Sequence, residues 1–504
     1  MSTSETRLGY RSRRAARDLA LTLLLALPLF TTTGCLAPYK TPQFQAPPAY
    51  KEEAAPAGAA AAVQWTPAKP ADARARGEWW TVFNDQELDT LEQQVSVSNQ
   101  SIGLAAENYA AASAVVREAR SQYFPVGSIG ASVTNARVSV VPAVNVQSGT
   151  TYTEYTLPLE ATWEPDLWSR VRNNVHAATF SAQSDAATLE NVRLAIHAQL
   201  AIDYFLLEGQ DSIAGVLDTV IADDDVTLRI SIGLLHSGLT TDEAVSAAEA
   251  QLHATEAQRE NVRLVRAQYE HAIAMLVGKT PAEFSIPFHP LDSVVPGVPP
   301  SLPADLLQRR PDIAAAERAV AQANAEMGVA HAAFFPDLTL SGAFGFTGLS
   351  ASDWLTWPER MWAAGPSLAQ TVLDGGLRRA TVQEYRSRYE AGLANYRQTV
   401  LGAFQQVEDN LAATRILVQQ RTQQETAVAA ATRTLKEAQV RYEAGLDPYL
   451  NVVQAEQTLL SYQETAITVR SQQLTTAVQL IQSLGGGWDI SELPSPKALA
   501  QTLR

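Results

Sequence analysis

The chain of 504 residues has a single cysteine, Cys35, so it cannot form a disulfide within itself. It also lacks a basic excess, because 38 lysines and arginines stand against 53 aspartates and glutamates, a net charge of −15. With no basic stripe to neutralise phosphates, the composition argues against a nucleic-acid partner. After the N-terminal region there is no apolar run long enough for a membrane-spanning helix, so a membrane role would require a lipid or β-strands.

Motifs for catalysis and cofactor binding are missing as well. The sequence contains no phosphate-binding loop, no dinucleotide fingerprint and no GxSxG elbow, and its seven histidines show no metal-ligand spacing. We therefore predict a protein that is not an enzyme and that holds neither a metal nor a cofactor. Such a chain would act as a passive conduit and take its energy from a partner.

The N-terminus has the pattern of an exported lipoprotein. Several arginines precede the short apolar stretch Leu19–Phe30, and small residues then lead to Cys35. Cleavage before Cys35 would make it the lipid-modified N-terminus of the mature chain, and Leu36 in place of aspartate favours sorting to the outer membrane. The alternative is an ordinary signal peptide followed by an incidental cysteine.

Most of the remaining chain is a duplicated unit of about 200 residues. The segment Ala119–Pro125 (ARSQYFP) recurs as Ala330–Pro336 (AHAAFFP), and Ser237–Leu239 recurs as Ala444–Leu446. The predicted organisation is a signal peptide at 1–34, an extended linker at 35–78, a first repeat at 79–290, a proline-rich joint at 291–302, a second repeat at 303–488 and a tail at 489–504.

Each repeat is predicted to contain a helix, two strands, a very long helix and a returning helix. Asp166–His236 and Asp374–Ala444 contain no proline. Each stretch of about 70 residues would extend roughly 105 Å as a helix, which indicates a coiled-coil-like assembly. The returning helices are expected at about 242–277 and 448–484.

The helix ends carry signals of tight helical hairpins. Gly238 and Gly445 are expected to adopt the left-handed conformation that ends a helix. For the returning helices, Asp447 is predicted as an N-cap followed by Pro448 at the first helical position. Thr240 and Glu243 have the spacing of a capping box.

Three segments alternate between apolar and polar residues as β-strands do, and a fourth alternates poorly. In Tyr155–Trp163 and Leu338–Phe346 one face is apolar and the other polar, which suits a strand between lipid and water. A shorter segment around Ile129 alternates in the same way, and a fourth strand is expected at about 362–373. Two hairpins packed on a helical core would show the same alternation. Aromatic residues that resemble interfacial girdles gather at the strand ends: Tyr123, Phe124, Trp163, Trp168, Phe334, Phe335, Trp354, Trp357 and Trp362.

Four strands cannot close a barrel, and open strand edges are not tolerated in hydrocarbon. The strands of several copies must then be pooled, and three copies would supply twelve strands, an even number within the known range. We therefore predict a mainly α-helical protein with a small β part and an internal duplication. Its trimer would form an α-helical barrel of very long helices that continues into a 12-stranded transmembrane β-barrel.

Several blocks resemble the outer-membrane efflux protein family, the TolC-like exit ducts, and in particular its NodT-like lipoprotein branch. They include Trp79–Asp85 (WWTVFND), Leu302–Ile313 (LPADLLQRRPDI), Asp374–Gly376 (DGG), Tyr442–Gly445 (YEAG) and Leu484–Trp488 (LGGGW). The resemblance implies a homotrimer in the outer membrane, in contact with its lipid and extending into the periplasm. It also implies a gated end that meets a periplasmic adaptor protein and an inner-membrane RND-type transporter.

In this family, carboxylates at the start of the last helix often constrict the pore, and the matching positions here are the amides Asn451 and Gln454. Negative charge near the hairpin tips comes from other gate candidates: Asp447, Asp242, Glu243, Glu249 and Glu456. Gly238 and Gly445 are expected to shape the tips that face the adaptor.

Three functions fit the sequence. The first is an efflux channel for drugs or other small toxic solutes. The second is a duct for secreted proteins, and the third is a periplasmic coiled-coil lipoprotein scaffold without a pore. The scaffold would need no lipid-facing strand alternation.

Overall fold

Two helices of 67 residues each dominate the molecule, in the two stretches that lack proline. The structure is a computed structural model that describes residues 39–44, 46–52, 78–137, 151–298 and 305–501. Cys35, the predicted signal peptide and most of the predicted linker lie outside these residues. At 1.5 Å per residue each long helix extends about 100 Å.

The helices of the two halves correspond in order, and the second, third and fourth of each half are also similar in length. In the first half they are α1 (Gln86–Ser98), α2 (Gln100–Ser121), α3 (Arg170–His236) and α4 (Asp242–Val277). In the second half they are α5 (Leu306–Arg309), α6 (Pro311–Ala332), α7 (Leu377–Glu443) and α8 (Leu450–Ser483), followed by α9 (Pro496–Leu499). Both α2 and α6 have 22 residues, and both α3 and α7 have 67, so the duplication is present in the fold.

The long helices begin at equivalent aspartates. Asp166 accepts hydrogen bonds from the backbone N–H groups of Val171 and Arg172, both at 3.0 Å. Asp374 accepts from the backbone N–H groups of Gly376, just before α7, at 3.0 Å and of Arg378 at 3.3 Å. Carboxylates that accept from free N–H groups stabilise a helix start. Each long helix therefore begins a few residues after the aspartate that opens its proline-free stretch.

The strands form one antiparallel sheet at the end of α3 and α7 where these helices begin. They are β1 (Val126–Ile129), β2 (Ser132–Arg137), β3 (Thr151–Trp163), β4 (Asp337–Gly348) and β5 (Arg360–Ala369). β1 and β2 both pair with β3, which pairs with β4, which pairs with β5. The sheet thus has four strand positions, as predicted.

Two strands differ in detail from the sequence expectation. The first strand is split into β1 and β2 at Gly130, which lies opposite Pro158. The carbonyl of Pro158 accepts from Gly130 N–H at 3.0 Å, but proline has no N–H to donate to Gly130, so one hydrogen bond of the ladder is missing. The fourth runs over Arg360–Ala369 and not over 362–373. Its partner β4 begins at Asp337 opposite Ala369, so the residues after Ala369 have no strand to pair with.

Aromatic side chains are fixed where the sheet meets the helices. The Trp163 indole donates to the carbonyl of Tyr123 at 3.0 Å, and the Trp168 indole donates to the carbonyl of Pro336 at 2.8 Å. Trp168 also stacks on Phe335, with ring centroids 4.8 Å apart. A buried indole N–H needs such a partner, so these bonds hold the junction between strands and helices.

The main hydrophobic core lies about midway along α3. It joins α1, α3 and α8 through buried side chains that include Leu88, Tyr204, Phe205 and Leu474. The described part of the N-terminal segment packs on the second repeat. There Phe44 stacks on Phe404, and Tyr50 is buried against Leu306, Val407 and Leu411. Within the described ranges, no helix is long and apolar enough to cross a membrane.

Replacement of Gly485 by alanine should destabilise the fold at the end of α8. Gly485 has a φ of +94°, and an added Cβ would clash with the backbone carbonyl oxygen of Arg309. Gly487 has a similar φ of +93°, but no described atom lies within 4 Å of an added Cβ. Gly487→Ala should therefore cost about 1–2 kcal/mol from the backbone alone. Gly485→Ala should cost a further ~1–3 kcal/mol from overpacking.

Thermal unfolding of the two purified variants measures this difference. The expected order of melting temperature is wild type, then Gly487→Ala, then Gly485→Ala. Equal melting temperatures for the two variants would show that the contact with Arg309 is not rigid.

Candidate functional site

Both long helices end at the far extremity in the same hydrogen-bonded turn. Gly238 and Gly445 have φ values of +69° and +68°, as predicted. After α3, Gly238 N–H donates to Leu235 at 3.0 Å and Leu239 N–H donates to Leu234 at 2.9 Å. After α7, Gly445 and Leu446 donate to the carbonyls of Tyr442 and Arg441, both at 2.9 Å. This pattern is the Schellman motif, which satisfies the last carbonyls of a helix.

The predicted caps of the returning helices are wrong. α8 begins at Leu450, after Pro448, and the Asp447 carboxylate pairs with Arg441 at 2.6 and 3.2 Å. In the first hairpin the residue before α4 is Thr241, which makes no side-chain capping bond. Because α8 begins three residues after Asp447, this carboxylate is not at the N-cap position, and it bonds Arg441 and the Asn451 side chain instead.

The tip residues divide into exposed and buried sets. Asn451 and Gln454 are both exposed and lie three residues apart, which places them on the same face of α8. Val452 and Val453 are buried, and they form a cluster with Tyr449 of the same hairpin and Ala248 of α4. The first and second hairpins of one chain are thus packed together at their tips. The exposed acidic candidates of α4 are Asp242, Glu243 and Glu249.

Each turn also exposes one leucine directly after its glycine. Leu239 and Leu446 are among the most exposed large apolar residues of the tips. Sequence reasoning did not single them out, although the Gly-Leu pair occurs in both repeats. The tips therefore present an apolar side chain beside a rigid turn.

Glu456 differs from the other candidates because it is partly buried against a second carboxyl group. It hydrogen-bonds Asp224 of α3, whose exposed fraction is 2%. Asp224 also accepts from the Thr255 hydroxyl of α4 at 3.0 Å. Burial, together with the charge of Asp224, raises the pKa of Glu456 to about 7. Two neighbouring carboxyl groups on α3 and α8 therefore share a proton near neutral pH.

Amides extend this polar cluster. Gln457 of α8 donates to the side-chain oxygen of Gln251 in α4 at 2.8 Å, and Gln251 donates to Thr255 at 3.2 Å. The cluster connects α3 and α4 of the first hairpin to α8 of the second. Asp224 was not identified from the sequence, where it stands in a run of three aspartates whose burial no local pattern reveals.

The Glu456–Asp224 contact predicts a pH-dependent stability of the tips. The pKa of Glu456 is higher in the folded chain than in an unfolded one, so the folded state binds more protons between about pH 4.5 and 7. The contribution of this contact to the free energy of unfolding is therefore largest at low pH, and it is lost as the pH rises through 7. Glu456→Gln should remove that dependence, because an amide donates to Asp224 at every pH.

Melting temperatures of wild type and Glu456→Gln across this range give the measurement. The melting temperature of Glu456→Gln should rise relative to that of wild type as the pH rises. Glu249→Gln, a change of an exposed carboxylate in α4, should have the same pH dependence as wild type. A constant difference between wild type and Glu456→Gln would contradict the shared proton.

The sheet at the opposite extremity has an apolar face with no core beneath it. Ile129, Leu159, Phe344 and Trp362 lie opposite one another in neighbouring strands and form one row across the sheet. Their exposed fractions are 74, 54, 44 and 75%. The next row, Ser128, Glu160, Ala343 and Ala363, belongs to the other face. The alternation predicted from sequence is therefore real, and its apolar side does not pack on the helices of the chain.

The described residues hold no cluster of three or more histidine, cysteine, aspartate or glutamate side chains arranged for a metal ion.

Two β-hairpins at one end of two very long helical hairpins, repeated within one chain, define the fold of outer-membrane channels with a periplasmic helical part. The sequence model of the outer membrane efflux protein family matches residues 91–279 and 302–486, one stretch in each half. The chain belongs to this family.

Individual relatives cover nearly the whole chain. It is 29% identical over 469 residues to the antibiotic efflux pump outer membrane protein ArpC of Pseudomonas putida, covering 92% of this chain and 95% of that one. It is 28% identical over 471 residues to the toluene efflux pump outer membrane protein TtgC of the same species, with the same coverage. The solved outer-membrane channel OprN superposes with a TM-score of 0.79 at 27% identity, covering 90% of this chain and 99% of that one.

Proposed function

We propose that the chain is the outer-membrane exit duct of a tripartite efflux system. It conducts small toxic solutes passively from the periplasm to the exterior, and an inner-membrane pump supplies the energy through a periplasmic adaptor. Relatives over nearly the full length are outer-membrane components of efflux pumps, which supports this function. Their names include both an antibiotic pump and a toluene pump, so family membership does not identify the solute of this chain.

The exposed apolar row across the sheet is the observation that carries the proposal. In water, four large side chains such as Ile129, Leu159, Phe344 and Trp362 would leave a contiguous apolar surface uncovered. In a bilayer the same face contacts lipid, while the face with Glu160 lines a water-filled pore. A periplasmic scaffold without a pore has no use for this arrangement.

The sheet edges favour assembly of several copies. Within the described residues, β5 pairs only with β4, and β1 and β2 pair only with β3, so both outer edges are free. Free edges are not stable in hydrocarbon, and joining each edge to a neighbouring copy removes them. Three copies supply twelve strands. Because each chain contains two similar repeats, the helical tube of the trimer would have nearly six-fold symmetry.

The tips are proposed to meet the adaptor and to form the gate. Gly238 and Gly445 fix the two turns, and Leu239 and Leu446 supply apolar contacts for a partner helix. Asn451 and Gln454 share an exposed face of α8 and are proposed to line the constriction. Amides hold cations less tightly than carboxylates, so we expect a gate that is less cation-selective than an acidic one.

Lipid attachment at Cys35 is proposed as an anchor that supplements the sheet. Growth with labelled palmitate should label the wild-type chain, and Cys35→Ser should remove the label. Because the trimer is held in the membrane by its strands, efflux should persist in Cys35→Ser once the signal peptide is processed. A labelled Cys35→Ser chain would contradict lipidation at this residue.

The experiment that tests the proposed function is a deletion strain exposed to dyes, antibiotics, solvents and metal ions. Deletion should increase sensitivity to several small solutes, and a copy of the gene should restore resistance. A defect confined to the release of a secreted protein would favour the alternative duct for protein secretion, and unchanged sensitivity to all solutes would contradict an efflux role.

A further inference from the structure

A pocket of about 630 Å³ lies halfway along α3, far from both the sheet and the tips. Its walls come from three parts of the chain: the start of α1 with the turn before it, α3 around Tyr204, and the segment 286–294 after α4. None of the proposed gate or lipid-facing residues lines it. The pocket is therefore separate from the proposed gate and from the lipid-facing row.

The ionisable groups of the pocket wall are nearly all acidic. The wall contains the carboxylates of Asp85, Glu87, Glu208 and Asp292, and His289 is the one basic side chain among its described residues. Two guanidinium groups lie nearby, and both are already engaged. Arg266 binds the fully buried Asp211 at 2.5 Å and donates to the carbonyl of Ile286 at 2.8 Å. Arg470 of α8 donates to the carbonyls of Asp292 and Ser293 at 3.1 and 3.3 Å. The pocket thus concentrates negative charge that these side chains do not neutralise.

Hydrogen bonding within the pocket leaves one buried acceptor without a donor. The Tyr204 hydroxyl lies near both Asp85 and Glu208, and its single proton is donated to Asp85 Oδ2 at 3.0 Å. His289 Nδ1 serves Glu208 Oε1 at 2.7 Å. Glu208 has an exposed fraction of 0%, and among the described residues nothing donates to its Oε2. A buried acceptor in this state is costly unless a donor from outside reaches it.

The other walls are apolar and partly aromatic. Phe83, Leu207, Ile286 and Phe288 border the acidic groups. A pocket that combines carboxylates with aromatic and aliphatic walls suits a ligand with one cationic N–H group and an apolar portion.

We propose that this pocket binds a small organic ammonium ion whose N–H group donates to Glu208 Oε2 and whose apolar part lies against Phe83 and Phe288. The carboxylates of Asp85 and Asp292 attract the cation electrostatically, and its N–H group supplies the hydrogen-bond donor that Glu208 Oε2 lacks.

Protonation of the pocket follows from the groups that face Glu208. Burial, together with the charge of Asp85, raises the pKa of Glu208 to about 7, while the hydrogen bond with His289 opposes the shift. The hydrogen bond to Glu208 raises the pKa of His289, although its partial burial opposes this. Around Glu208 the charged neighbours are Asp85 before α1, Asp211 with Arg266 on α3 and α4, and His289 and Asp292 on the 286–294 segment. A cation that binds the charged form of Glu208 must therefore displace the Glu208 proton below about pH 7. Well above pH 7 the carboxylate is already charged and no proton is released.

Isothermal titration calorimetry of the purified full-length protein in detergent tests the site, with 2-phenylethylammonium as the probe. Neutral 2-phenylethanol and the short ethylammonium ion are the ligand controls, one without charge and one without the ring. Only 2-phenylethylammonium should bind measurably. In buffers of different ionisation enthalpy, its binding should release protons near pH 6 and not near pH 8.5.

Variants locate the binding. Glu208→Gln, which keeps the shape of the side chain, should weaken the affinity about 10- to 100-fold, the range expected for a hydrogen bond to a charged group. Asp292→Asn changes an exposed residue and should weaken binding by a few-fold without affecting folding, whereas Glu256→Gln on α4 should match wild type. Equal affinity for the ammonium and the alcohol, or unchanged affinity in both Glu208→Gln and Asp292→Asn, would overturn the proposal. Neither result would bear on conduction, which the deletion strain tests separately.

Discussion

Replacing Gly445 with valine is expected to remove most efflux while the protein remains assembled in the outer membrane. At φ +68° a β-branched side chain is strained, at a cost of about 1–3 kcal/mol. A side chain at this position would meet no described atom within 4 Å, so the strain is relieved by moving the turn and not by repacking the helices. The change would displace Leu446 and the Arg441–Asp447 ion pair, the surface that we propose the adaptor contacts.

The measurement is accumulation of a fluorescent efflux substrate in cells that carry the variant as their only copy, together with the amount of trimer in outer-membrane fractions. Accumulation should approach that of the deletion strain at a normal trimer level. Gly402→Val is the matched control, because Gly402 is inside α7 and a Cβ there also meets no described atom within 4 Å. Wild-type efflux in Gly445→Val at a normal protein level would refute the role of the tip.

Replacing Leu159 with arginine is expected to prevent stable insertion into the outer membrane. Leu159 is in the middle of the exposed apolar row, between Ile129 and Phe344. An arginine on the lipid face of a barrel costs about 2–4 kcal/mol near the bilayer midplane, and a trimer would carry three of them. We expect the folded trimer in the membrane fraction to fall to a small part of the wild-type amount, with loss of efflux.

The adjacent residue provides the control for this prediction. Glu160 is on the opposite face of the same strand, so Glu160→Arg places the same side chain toward the proposed pore. That variant should insert normally and change only ion selectivity. Equal insertion of both variants would mean that the row around Leu159 does not face lipid, and the sheet would have to be covered by protein.

Features governed by local backbone chemistry could be predicted from the sequence. The absence of proline gave the two long helices, and the repeated glycines at 238 and 445 gave the turns, because the left-handed conformation strongly favours glycine. Alternation in Tyr155–Trp163 gave the second strand and its apolar face, since side chains in a strand alternate strictly between faces.

Features that depend on distant partners could not be predicted in this way. Asp447 has the sequence context of an N-cap, yet Arg441 on the preceding helix binds it. The end of the fourth strand at Ala369 is set by where β4 begins, 32 residues earlier in the chain at Asp337. Glu208 and Asp224 are acidic residues inside a long helix, and only the packing of α1, α4 and α8 around α3 buries them.

The two hairpin tips are built on the same turn but carry different chemistry. The first presents Asp242 and Glu243 at the start of α4, whereas the second presents the Arg441–Asp447 ion pair followed by Asn451 and Gln454. The duplicated fold therefore gives the two tips equivalent backbones with different side chains. We propose that this difference determines which tip forms the gate. A trimer would alternate the two kinds of tip around its pore.

The most direct test of the duct is electrical recording from the purified full-length protein in planar lipid bilayers. If several copies pool their sheets into one closed pore, each insertion should add a discrete step of conductance, and Glu160→Arg should shift its ion selectivity toward anions. Stable incorporation of the protein without any conductance, under conditions that open the periplasmic tips, would contradict the duct and favour a scaffold.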